Sequence, residues 1–152
     1  MTKTRRITVP NARLLYFISR ELCRDWQKIL WRLDKFLEKS PLQKANPFIY
    51  LYYFLPTNDV NFISSKSWVC REIIGNLKLD HNADFHFYDL SKAQAWSTLW
   101  NHGLERLSFK ELWQWENETR KSLTSSLADT WCLQIGVEED LFLSIEMRHF
   151  PK

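Results

Sequence analysis

NARLLYFISRELCRDWQKILWRLDKFLEK, residues 11–39, is the stretch on which the fold turns. Leu15, Ile18, Leu22, Trp26, Ile29, Leu33 and Phe36 recur at spacings of three and four, which stacks them into one apolar stripe if the backbone is helical. At about 100° per residue, Arg13, Arg20, Arg24, Lys28, Arg32, Lys35 and Lys39 fall on the other side, and Phe17 and Trp31 fall among them. The spacing predicts one long basic amphipathic helix over 11–39. An apolar stripe needs only a core to cover it. Two large aromatics set in a ladder of cations point to a contact surface as well.

The charge is unevenly spread. Residues 1–44 hold 11 of the 21 Lys and Arg but only four of the 18 Asp and Glu, so this part is strongly basic and the remainder acidic. A field acts locally, within a Debye length of about 10 Å, so charge concentrated on one element says more about partners than the total of +3. Arg13, Phe17, Arg20, Arg24, Lys28, Trp31 and Lys35 are the candidate partner-binding residues. Residues 1–10, with Lys3, Arg5 and Arg6, read as a basic arm ahead of the helix.

Working outward, Ser40 to Pro47 breaks the pattern, and Phe48 to Leu55 is apolar on both alternating faces, the mark of a central strand covered on both sides. Ser64 and Ser65 cap an expected helix carrying Val69, Ile73, Ile74 and Leu77. Asp84 to Asp89 reads as a short strand. Ser91 with Gln94 forms a capping box for an expected helix through Leu107, and Ser108 with Glu111 forms another for a helix reaching about Ala128. Trp131, Leu133, Ile135 and Val137, then Leu141, Leu143, Ile145 and Met147, alternate with other residues on either side of Glu138-Glu139-Asp140, which predicts a C-terminal β-hairpin over 130–149. The expected class is α+β: one domain of 152 residues, with a mixed or antiparallel sheet of about four strands, a long N-terminal helix and further helices packed on the sheet.

Composition excludes several classes of function. Apolar content of 45% and aromatic content of 15%, with eight Trp, indicates a packed core rather than disorder. Cys23, Cys70 and Cys132 are odd in number, far apart and without CxxC spacing, which argues against a disulfide framework or a zinc ribbon and for a cytoplasmic protein. The longest apolar run has eight residues, too few for a membrane span. Three glycines cannot build a phosphate loop or dinucleotide fingerprint, and no nucleophile elbow is present. His81, Asp84 and His86 are the metal-ligand candidates, but their spacing matches no metal motif, so neither metal nor cofactor is expected. The reading is a non-enzymatic protein-binding module, such as a small inhibitor, immunity protein or accessory subunit. Trp and Arg carry much of the binding energy at interfaces. The alternative is a nucleic-acid-binding subunit whose basic helix tracks phosphates.

Overall fold

A computed structural model describes residues 4–54, 66–79, 84–100, 108–123, 126–138 and 142–152. Its elements in chain order are β1 (Thr4–Val9), β2 (Ala12–Ser19), α1 (Trp26–Glu38), β3 (Gln43–Lys44), β4 (Ile49–Phe54), β5 (Ser67–Ile74), β6 (Phe85–Leu90), β7 (Ala93–Leu99), α2 (Phe109–Ser122), β8 (Leu127–Glu138) and β9 (Phe142–Pro151). The nine strands form one antiparallel sheet in the order β1-β7-β9-β8-β4-β5-β2-β6, with β3 added to β5.

This corrects the expected architecture. The 11–39 helix is a strand, a turn and a shorter helix. In β2, Leu14 and Leu15 are both buried because they point to opposite covered faces. A strand covered on both sides is apolar without alternation, and over a few residues that density matches a helical stripe by chance. Only from Trp26 onward does the three-to-four spacing describe a real helix, which buries Ile29, Leu33 and Leu37. The same confusion accounts for β5 and β7, both expected as helices. The Ser91/Gln94 capping box does not exist: Gln94 Nε2 donates to Thr8 Oγ1 across the β1–β7 ladder. The expected basic arm is largely β1. The sheet has nine strands, not about four, and only two helices occur among the described residues.

Other expectations match the structure. Of the expected strand Phe48 to Leu55, Ile49–Phe54 form β4, in the middle of the sheet between β5 and β8, and Leu55 lies outside the described residues. Ser108 caps α2, its Oγ accepting from Glu111 N at 3.1 Å. The C-terminal hairpin is β8–β9; residues 139–141 at its acidic tip lie outside the described residues.

The topology contains a repeat that the sequence does not display. The run β2-α1-β4-β5 has the sheet order β4-β5-β2, and the run β7-α2-β8-β9 has the order β8-β9-β7. The two units meet at the β4–β8 pair. The strand preceding each unit is exchanged: β1 pairs with β7 and β6 pairs with β2. Val9 faces Ala93 and Ala12 faces Leu90 in one continuing register, and Asn11 Oδ1 accepts from Lys92 N at 2.6 Å where the two ladders join. β1–β2 and β6–β7 therefore run side by side as one two-stranded ribbon that links the two units.

Both helices pack on one face. Beneath α1 and α2 lie Leu15, Leu51, Tyr53, Val69, Trp131, Leu133, Ile135 and Met147. The other face carries Leu14, Tyr50, Tyr52, Cys70 and Cys132, with Trp68 stacked on Tyr16 at 3.9 Å. Arg71, itself buried, fixes α1 to the sheet: Nε and Nη2 donate to the two carboxylate oxygens of Asp34, and Nη1 donates to the carbonyls of Pro47 and Phe48, all at 3.0 Å.

Candidate ligand cleft between the helix N-termini

The turn that interrupts the misread helix also builds one wall of a surface cleft. Leu22 and Cys23 have φ of 55° and 63°. Two adjacent non-glycine residues in the left-handed region carry backbone strain, which persists only where the surroundings impose it. Ser19 imposes it here. Its buried Oγ accepts from Glu21 N at 3.2 Å and Cys23 N at 3.1 Å, and donates to Asp25 Oδ1 at 2.6 Å. Arg24 N donates to Glu21 O and Trp26 N to Cys23 O, so the chain enters α1 with Arg24 held outward.

That turn forms one wall of a cleft of about 210 Å³. Cys23, Arg24 and Trp26 contribute from the start of α1, Ser108 and Leu112 from the start of α2, and Leu51, Tyr53, Leu133 and Ile135 from the sheet between them. Most lining residues are thus apolar or aromatic, with Arg24 and Ser108 on the side of the helix starts, and the exposed surface is divided between polar and apolar. Burial, the largest influence, pushes the Cys23 thiol up to about 12, which keeps it protonated at neutral pH. Burial likewise raises the Tyr53 hydroxyl well above its ordinary value.

Behind the cleft stands an aromatic wall. Trp131 stacks on Tyr53 at 4.3 Å, and Trp113 meets both rings edge-on at 5.6–5.7 Å. Next to it lies a buried polar centre. His149 is fully buried, with its ring parallel to Trp131 at 6.1 Å and Nε2 3.1 Å from Glu116 Oε1. The same oxygen accepts from Arg120 Nε at 2.8 Å. Burial pushes the Glu116 carboxyl up, but the hydrogen bonds from His149 and Arg120 outweigh that and hold its pKa below the ordinary value. The ionised carboxylate therefore accepts a hydrogen bond from His149 Nε2–H. The indole N–H groups of Trp115 and Trp131 and the Nδ1 of His149 find no hydrogen-bond partner among the described residues.

The seven residues expected on one helical face are dispersed over a strand, a turn and a helix. Arg13, on β2, lies over the Phe87 ring at 4.5 Å, with Nε 3.7 Å from Asp89. Phe17, also on β2, is half-buried beneath the Arg32 guanidinium at 4.7 Å. Arg20 is exposed just after β2, and Arg24 lines the cleft. Lys28, Trp31 and Lys35 do share the outer face of α1, where Trp31 is 63% exposed and Lys35 Nζ lies 5.7 Å from its ring centroid. Trp26 is half-buried against the core. His81 lies outside the described residues. Asp84 pairs with Arg32 at 2.9 Å, and His86 lies beside Tyr16. Among the described residues no three His, Cys, Asp or Glu side chains are placed to hold a metal, and no helix is long and apolar enough to cross a membrane.

Sequence reasoning missed Tyr53, Leu112, Leu133 and Ile135 as site residues. They come from three separate segments, and only strand pairing brings them together. The surplus of tryptophan was the one available signal, and it does not distinguish core from cleft.

No protein-family model and no curated protein matches the chain. Among solved structures, the crystal structure of the EcmrR C-terminal domain matches with a TM-score of 0.70 at 11% identity, covering 99% of this chain and 97% of that one. The chain has the fold of the EcmrR C-terminal domain. EcmrR in a cryo-EM complex with DNA gives 0.71 at 11% identity; 99% of this chain matches 57% of that longer chain. A hydrolase from Listeria innocua gives 0.52 at 8% identity over 99% of this chain and 92% of that one. At such identities the likeness is one of fold alone.

Proposed function

We propose that this chain is a binding module for a small apolar, aromatic-compatible molecule, held in the cleft between the N-termini of α1 and α2. The observation that carries it is the cleft itself: a concave surface lined mostly by apolar and aromatic residues, with polar surface interspersed, and walled by a strained turn that Ser19 holds in place. The left-handed turn at Leu22 and Cys23 buries Cys23 in the core and sets Arg24 and Trp26 along the cleft. The fold is one that serves as a discrete C-terminal domain in EcmrR, a protein seen on DNA, which suits a module that reports ligand occupancy to an attached or bound partner.

Thermal-shift screening of aromatic compounds smaller than ordinary drugs tests the reading. Hits should raise the Tm of wild type and fail to raise that of Leu112→Trp or Leu133→Phe, which fill the cleft from opposite walls. Hits that act equally on the filled variants would refute it.

A second reading has its own observation. Trp31 is exposed beside Lys28, Arg32 and Lys35 on the outer face of α1, and it suits a protein partner with an acidic, apolar-lined surface. Nucleic acid is the alternative occupant of the same face. Arg32 and Lys35 already have the carboxylates of Asp84 and Glu38 within reach, which favours protein. Capture from lysate with and without nuclease, comparing wild type with Trp31→Ala, separates the two.

A further inference from the structure

The two terminal strands of the sheet are built differently. Among the described residues, β1 pairs only with β7 and β6 only with β2, so each has one edge without a partner strand. An open edge is a template for another strand, and proteins blunt it with charged side chains or proline. β1 does so: Arg5 and Arg6 are both exposed on it. β6, Phe85-His86-Phe87-Tyr88-Asp89-Leu90, does not. It holds no Lys, Arg or Pro, and its first four residues are successive rings.

Those rings occupy both faces. Phe85 and Phe87 lie on the helix side, the first against Phe36 and the second beneath the Arg13 guanidinium. His86 and Tyr88 lie on the other side, each at 5.3 Å from a neighbouring ring, Tyr16 and Trp68 respectively, and Tyr88 is 46% exposed. The acids close to the edge are matched within the chain: Asp89 lies 3.7 Å from Arg13 Nε, and Asp84, just before the strand, 2.9 Å from Arg32 Nη2. An edge of this kind does not repel a copy of itself, as a charged edge would.

The side-chain alternation fits a copy as well. A two-fold axis perpendicular to the sheet keeps each face on its own side, so in an antiparallel pair of identical edges one residue must face itself. With Phe87 in that place, His86 faces Tyr88 of the second copy, and Tyr88 faces its His86. Aromatic cross-strand pairs of this kind stabilise a sheet. The rings of Tyr16, Trp68, His86 and Tyr88 would then continue across the junction, along about 20 Å of edge.

We propose that β6 is a dimerisation edge, through which two copies of this chain pair antiparallel about a two-fold axis at Phe87. The proposal does not depend on what the cleft holds.

The test is the mass of the full chain in solution, by light scattering and sedimentation across a dilution series. Wild type should approach twice the 18.4 kDa of one chain as concentration rises. Tyr88→Lys, which adds the missing guard at an exposed position, should weaken the dimer at least tenfold. His86→Lys, also exposed, gives a second reading should the first variant fail to fold by far-UV circular dichroism. Trp31→Ala, on the outer face of α1, should leave the dimer intact. Amide exchange should slow with concentration in β6 and not in β1. A monomeric wild type at every concentration would overturn the proposal. So would a dimer that folded Tyr88→Lys and His86→Lys leave unchanged, or one that Trp31→Ala dissociates.

Discussion

The two halves of the molecule share a connectivity and differ in chemistry. In β2-α1-β4-β5, the helix turns Ile29, Leu33 and Leu37 inward and presents Lys28, Trp31 and Lys35 outward. In β7-α2-β8-β9, the helix turns Leu112 and Trp115 inward but also buries Glu116 and Thr119. The first helix covers the sheet mainly with hydrocarbon and has an elaborate outer face; the second mixes polar with apolar side chains on its inner face. A shared topology asks only that each helix cover its half of the sheet. The extra buried polar groups of the second half and the exposed tryptophan of the first are beyond that requirement. The cleft lies where the two units meet, at the starts of both helices.

The largest expected effect is in the second half. Trp131 is fully buried between Tyr53 and His149, and Trp131→Ala should lower stability by about 4 kcal/mol in urea denaturation. A loss below about 1 kcal/mol would mean that the aromatic wall is not part of the packed core. Glu116→Leu should cost about 3 kcal/mol, because it leaves the buried His149 and the half-buried Arg120 without their carboxylate. Glu116→Leu/His149→Leu should recover part of this, since the histidine is then no longer orphaned. If the double variant is as unstable as the single one, the pair is not the unit that matters.

The pH dependence follows from the same group. The folded pKa of Glu116 lies below its ordinary value of 4.5. Its contribution to stability is therefore complete above 4.5 and disappears as pH falls from there through the folded value. Wild type should lose more stability than Glu116→Gln over that acid window, and the two should run parallel above it. The smallest effect belongs to the first half: Trp31→Ala should change stability by less than about 0.5 kcal/mol, because the ring is mostly in solvent. If a partner uses the α1 face, the same variant should weaken its capture.

These contrasts also show what could be read in the sequence. The covered strand at Phe48–Leu55, the Ser108 cap and the C-terminal hairpin rest on local signals, and each was legible. The segment from Asn11 to Asp25 was not. Leu14 and Leu15, buried on opposite sides, and Leu22 and Cys23, held at positive φ by Ser19, produce an apolar spacing that imitates a helix. Nothing local distinguishes them, because the burial of β2 comes from its pairing with β5 and β6, some 50 and 70 residues away. The same distance hid the cleft. Arg24 was visible as a cation, but not as a neighbour of Ser108 and Tyr53. Trp31 was legible because it lies in the part of the stretch that is a helix.

The most direct test of the central claim is a methyl ¹H–¹³C spectrum recorded while 4-phenylbutyrate and 4-phenylbutanol are added in turn. The account predicts that either ligand moves the methyl signals of Leu51, Leu112, Leu133 and Ile135 together, and leaves those of Leu33 and Ile73, buried elsewhere in the same core, in place. Unchanged cleft methyls at saturating ligand, or changes confined to residues around Trp31, would contradict it.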